Sequence, residues 1–191
     1  MKKVLIHILF LVSFFSYACS DNDPLSSEDQ NNAFYFNSFE SDKDTSGWIG
    51  VSKNMLTDDS CPAGGKRSLH IGGGCIQPAA SIEFSSVKEG NYKISFWAKT
   101  GQPHQSAIIK LKVSDNADES KNLVVAVDTT SWKFYQSEGS LYVPGNKKMT
   151  MEVWVGGIIY ADVYLDNLKI ERTTPFSFTG KIYKNVIGMF K

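Results

Sequence analysis

The 191-residue sequence predicts an all-β fold, a two-sheet antiparallel β-sandwich, on three observations. Apolar and polar residues alternate with a period of two over short segments, the pattern of half-buried strands. Turn residues separate these segments at intervals of about ten residues, as in Glu89-Gly90-Asn91, Gly101-Gln102-Pro103 and Val143-Pro144-Gly145-Asn146. No amphipathic helical window of useful length and no internal repeat breaks the pattern. With 42% hydrophobic and 13% aromatic residues the chain has enough apolar material for one core.

Taken in order, the segments read as follows. Residues Ser20 to Asn32 hold four acids, no base and one apolar side chain, Leu25, which predicts a flexible tether over 19–32. The domain proper spans 33–172. A short strand at Ser68–Ile71 is bracketed by Gly64-Gly65 and Gly72-Gly73-Gly74. No GK[ST] follows and no helix starts, so these glycines read as tight loops rather than a phosphate cradle. Asn91–Thr100 sets Tyr92, Ile94, Phe96 and Ala98 on one face and Lys93, Ser95, Trp97 and Lys99 on the other. Ala107–Ser114 places Ile109, Leu111 and Val113 opposite Ile108, Lys110 and Lys112, and Leu123–Val127 is a short apolar run. Met149, Met151, Val153 and Val155 alternate with Thr150, Glu152 and Trp154. Ala161–Glu171 is a longer strand whose phase slips near Asp166-Asn167. The stretch 173–191, which includes Phe176, Phe178, Tyr183 and Phe190, takes no assignment from its pattern.

Charge and motifs exclude several functions. Twenty basic side chains balance twenty acidic ones, so no basic footprint for nucleic acid is present. His70 and His104 sit in no nucleophile or metal motif, and GxSxG and HExxH are absent. Glu83, Glu138 and Glu152 are the carboxylates a glycosidase reading would need, but a sandwich of this size leaves little chain for a walled cleft. The sequence reads as a binding protein, not an enzyme.

Residues 1–18 read as a secretory signal: Lys2 and Lys3, an apolar run from Val4 to Phe15, then Ser16-Tyr17-Ala18. Cys19 follows directly, and this arrangement resembles a bacterial lipobox, in which the cysteine becomes lipidated. An ordinary cleavage before a free Cys19 is the alternative, since Ser16 stands where the lipobox prefers Leu. Ser20-Asp21-Asn22-Asp23 resembles the acidic export signal of Bacteroidetes surface lipoproteins. The resemblance implies an outer-membrane protein held by acyl chains and exposed at the cell surface. Cys61 and Cys75 then remain as an even pair in an oxidising compartment, either disulfide-bonded or two buried thiols.

Five fragments in order resemble carbohydrate-binding modules of the galactose-binding-like jelly-roll type, as in families 4, 9 and 22. They are Asn37-Ser38-Phe39-Glu40 with Trp48, Gly65 to Ile71, Glu89 to Lys99, Thr130 to Tyr135, and Val163 to Ile170. The resemblance implies a structural calcium held by Glu40 and Asp166, with backbone carbonyls and Asp42 completing the oxygens. It also implies a polysaccharide or oligosaccharide ligand and partner proteins of a glycan-uptake system. Sugars need flat aromatic platforms beside hydrogen-bonding side chains. The outward strand phase of Trp97 and Trp154, among Lys110 and Glu152, predicts such a platform on the outer side of one sheet, with Tyr135 and Gln136 along it. Packing of both tryptophans beneath another segment is the alternative. Trp48 and Trp132 stand at family positions that pack structurally. A protein-interaction or assembly role for the same sandwich is the second functional reading.

Overall fold

A computed structural model describes residues 33–73, 76–156 and 161–173. The leader, Cys19, the tether, Cys75 and the stretch from residue 174 onward lie outside the described residues. Among the described residues twelve strands follow one another: β1 (Ala33–Asn37), β2 (Trp48–Ile49), β3 (Leu56–Thr57), β4 (Ser68–Gly73), β5 (Ala80–Val87), β6 (Gly90–Thr100), β7 (Ser106–Val113), β8 (Leu123–Val127), β9 (Lys133–Gln136), β10 (Leu141–Val143), β11 (Lys147–Gly156) and β12 (Ala161–Thr173). Short 3-10 turns at Asp42–Thr45, Lys53–Met55 and Glu119–Lys121 are the helical pieces among the described residues.

The strands form two antiparallel sheets. One has seven strands in the order β10-β6-β12-β4-β3, with β1 also paired to β12 and β9 to β6. The other has five, in the order β2-β5-β11-β7-β8. The predicted alternation explains how they close. Tyr92, Ile94, Phe96 and Ala98 of β6 and Leu165, Leu168 and Ile170 of β12 are buried. They meet Ile109 and Leu111 of β7 and Met149, Met151, Val153 and Val155 of β11, all buried, across the sandwich. Strand β5 was not among the segments read from sequence. It nonetheless alternates: Ala80 and Ile82 face the core, and Ser86, at φ 55°, ends the regular run before Val87.

Two irregularities in the seven-stranded sheet place polar groups. In β12 the register slips between Asp166 and Lys169 against β6, and Asn167 takes φ 45°. Asn adopts this left-handed conformation more readily than most residues, so the bulge keeps Leu165 and Leu168 in the core while turning Asp166 toward a loop. After β1, the Asn37 side chain accepts a hydrogen bond from the Phe39 N–H. Phe39, at φ 57° and fully buried, packs on Trp48. That turn sends Glu40 to the same loop.

Candidate functional site

Three places on the sandwich gather chemistry. The first is the loop 61–67. Glu40 accepts hydrogen bonds from the backbone N–H groups of Lys66 and Arg67, and Asp166 accepts from those of Cys61 at 3.0 Å and Asn167 at 2.7 Å. Side chains are excluded from the loop here: a Cβ on Gly64 would lie 2.2 Å from Asp166 Oδ2, and one on Gly65 would lie 2.4 Å from Glu40 Cδ. Burial, with the Glu40 charge nearby, raises the Asp166 pKa despite its N–H partners. Asn167 donates from Nδ2 to the Ala63 carbonyl at 2.8 Å, while its buried Oδ1 has no hydrogen-bond partner. The Glu40 and Asp166 oxygens already accept from backbone N–H groups, and among the described residues no three His, Cys, Asp or Glu side chains gather here, so a hard cation would have to draw as well on Asn167 Oδ1 and loop carbonyls. Asp42 does not join them: its carboxylate pairs with Arg67 at 3.2 Å.

Cys61 belongs to the same cluster. It is a free thiol, buried, and its pKa is pushed up to about 12 by burial and by the neighbouring Asp166 charge. The expected partner Cys75 lies outside the described residues. The Cys61 N–H and thiol bond to Asp166.

The second place is the outer face of the five-stranded sheet. Trp154 of β11 lies opposite Ile108 of β7, and Glu152 lies opposite Lys110. The Trp154 indole N–H donates to Glu152 Oε2 at 2.9 Å, and the other carboxylate oxygen pairs with Lys112. Lys110 sits over the Trp154 ring, 5.2 Å from its centre, and is held there by Glu119 at 2.9 Å. A cleft of about 250 Å³ opens beside the half-buried indole, lined by Ser106, Ile108, Lys110, Trp154, Val155 and Gly156. Exposed Val124 extends its apolar border from β8. Ring, ammonium and carboxylate are fixed by one another, so little side-chain freedom remains to be lost when a ligand enters.

The third place is the outer face of the seven-stranded sheet, and it corrects the expected single platform. Trp97 lies here, paired across strands with Asp166 and Phe134, on the far side of the sandwich from Trp154. Equal outward phase put both tryptophans at the surface, but β6 and β11 belong to different sheets. Gln136 is exposed on this second face, one strand pair along from Trp97. Tyr135 lines neither face: it points inward, 8% exposed, and stacks on Phe96 with ring centres 5.7 Å apart. Four-residue β9 offers too short an alternation for its phase to be read from sequence. Trp48 is buried and its indole N–H bonds to the Tyr35 hydroxyl, a packing role.

This face also carries residues that the sequence argument left aside. Trp132 is half-exposed, its N–H donating to Asp59 at 3.1 Å. Lys99 pairs with Asp59 and lies over both Trp132 and Tyr164. Tyr164 stacks on His70 with centres 4.4 Å apart, and His70 Nε2 bonds to Asp162 at 2.9 Å. Partial burial would push the Asp59 carboxyl up, but hydrogen bonds from Lys99 and Trp132 outweigh it and hold the pKa below the usual range. Tyr164 and Lys99 could have been found by strand phase; Asp59, on a loop, gave no signal.

Comparison with known proteins places this architecture. The family model described as Carbohydrate binding domain (CBM_4_9) matches residues 31–163. No curated protein matches the chain. Among solved structures, the CBM22-1 xylan-binding domain of Paenibacillus barcinonensis Xyn10C is similar at 17% identity and a TM-score of 0.55, covering 74% of this chain and 94% of its own. The C-terminal family 22 module of Clostridium thermocellum Xyn10B is similar at 16% identity and a TM-score of 0.54, with 75% and 96% covered. TmCBM61, solved with β-1,4-galactotriose, is similar at 19% identity and a TM-score of 0.50, with 71% and 94% covered. These likenesses establish a shared jelly-roll sandwich, and by the family match the chain belongs to the Carbohydrate binding domain family CBM_4_9.

Proposed function

We propose that this protein is a non-catalytic, surface-tethered lipoprotein that binds a glycan in the cleft beside Trp154. The observation that supports this most is the arrangement of that cleft: a half-buried indole with its N–H on Glu152, flanked by Lys110, Ser106 and Ile108. The indole offers an apolar surface for a sugar ring, Lys110 and Ser106 supply donors and an acceptor for hydroxyls, and buried Glu152 holds the indole in place from behind. The xylan-binding domain and the β-1,4-galactotriose complex among the similar solved structures make β-1,4-linked glycans the first ligands to try. A lipid on Cys19 and the acidic tether would hold the domain at the outer membrane, facing outward, where many copies raise avidity for one polysaccharide. The glycan would thereby stay near partner proteins of an uptake system.

A structural calcium bound by Glu40 and Asp166, with Asn167 Oδ1 and loop carbonyls, accompanies this reading. Its chemistry would be to neutralise two adjacent carboxylates and tie the loop 61–67 to both ends of the domain. Thermal melting with calcium and with chelator tests it: calcium should raise Tm in the wild type and leave Glu40→Gln unmoved, and equal Tm values in the wild type would reject the ion.

The binding reading is tested by tryptophan fluorescence of the soluble domain titrated with xylan, galactan and a wider polysaccharide panel. A saturable change that Trp154→Ala removes supports it. A folded protein silent across the panel turns the weight to a protein-interaction role.

A further inference from the structure

The cluster on the seven-stranded face has ingredients of the same kind as the proposed cleft, and more rings. His70 of β4, Tyr164 of β12 and Lys99 of β6 are successive cross-strand neighbours, and Trp132 closes the row through Lys99. Four positions at the strand spacing span about 14 Å, a line rather than a pocket. In the adjoining row Trp97 and Phe134 stand with ring centres 5.9 Å apart, Phe134 being 48% exposed. At the far end a hollow of about 490 Å³ is bordered by His70 and Asp162 and floored by Gly72. A Cβ on Gly72 would meet nothing nearer than the Ala161 carbonyl at 4.0 Å.

The composition of the row selects the occupant. Protein–protein interface cores are enriched in aromatics but depleted in Lys and Asp. Here Lys99, Asp59, Asp162 and His70 are interleaved with the rings, which suits a ligand with apolar faces edged by hydroxyls. The groups are also held in advance. Asp59 fixes Trp132 and Lys99, and Asp162 fixes His70, so docking would order few new side chains.

We infer that this face is a second glycan-binding site, taking an extended polysaccharide chain along His70, Tyr164, Lys99 and Trp132. It lies back to back with the Trp154 cleft across sheets packed about 10 Å apart. One domain then holds two separate chains and cross-links them, a property a single-cleft module lacks. The inference rests on the glycan-binding reading for its ligand class but not on the Trp154 cleft.

Calorimetric titration of the soluble domain with xylo- and β-1,4-galacto-oligosaccharides, paired with light scattering on soluble xylan and galactan, separates the two sites. The wild type should bind about two oligosaccharides per domain and raise the scattering of a polysaccharide. Trp132→Ala and Trp154→Ala should each retain about one site and lose the cross-linking. His70→Ala, which leaves the Asp59 bonds to Trp132 and Lys99 in place, should weaken the second site with Tm little altered, and Tyr164→Ala, which also removes a ring from against Trp132, should weaken it more. Single-site binding that Trp154→Ala abolishes and the Trp132, Tyr164 and His70 variants leave intact would overturn the second site while sparing the first. No binding by the folded wild type would overturn both.

Discussion

The two outer faces of the sandwich are built from similar residue types and yet differ in how they are held. On the five-stranded face, Trp154 is the one outward aromatic among the described residues; its N–H bonds to Glu152 of its own strand, and Glu119 of a turn steadies only Lys110. On the seven-stranded face, the rings are stitched to a loop from outside the sheet, since Asp59 bonds both Lys99 and Trp132. A face whose ring is bonded within its own strand keeps its shape when one side chain is changed. A face closed by a loop transmits the change to the fold. The same class of substitution should therefore read out as affinity on one side and partly as stability on the other.

The largest effect expected is at the junction of the loop and sheet. Asp166→Ala leaves the buried N–H groups of Cys61 and Asn167 without an acceptor, at a cost of about 2–3 kcal/mol, visible as a lower urea midpoint. An unchanged midpoint would mean that the loop 61–67 is not anchored through β12. Next, Trp154→Ala should cost about 2 kcal/mol of binding, roughly 30-fold in Kd, with the urea midpoint shifted far less. A stability loss as large as the affinity loss would erase the contrast between the faces.

Asp59→Asn comes third, at about 1 kcal/mol of stability after allowance for solvent screening of a half-exposed pair. Its sign with pH follows from a lowered folded pKa. The contribution is complete above the usual carboxylate pKa of about 4 and disappears as pH falls through the lower folded value. Urea midpoints of wild type and variant should converge in strong acid and separate at neutral pH; a constant gap would disprove the ionic role. Smallest is Lys110→Ala, which removes a cation from the Trp154 ring and a pair with exposed Glu119, a loss that solvent screening keeps slight. Its effect on binding should shrink in high salt, and a salt-independent loss would point to packing by the lysine stem instead.

Much of this organisation was legible in the sequence because strands encode a local period. The inward set of β6 and that of β11 could be read directly from alternation, and so could the slip at Asp166-Asn167, where the alternation fails. Alternation tells which side of a strand is wet but not which sheet the strand joins. That choice is made by pairing across long stretches of chain, so Trp97 and Trp154 were read onto one surface and belong to two. Loop residues carry no period at all. Asp59 and Cys61 acquire their roles only when the loop folds back on β12. Cys61 illustrates the point: its contacts with the Asp166 carboxylate depend on the loop's path and on the slip in β12, and no local pattern encodes either.

The pairing of β1 with β12, far apart in the chain, sets the timing with which this sheet can form. β12 is the central strand of its sheet, bonded to β6 on one side and to β4 and β1 on the other. Until it has been synthesised, β1 and β4 have no neighbour at that position and the seven-stranded sheet has no middle. Non-local pairing of this kind incurs loop-closure entropy before any contact repays it, so it forms slowly. A growing chain would therefore leave this sheet open until β12 had appeared, however early β1 and β4 were made.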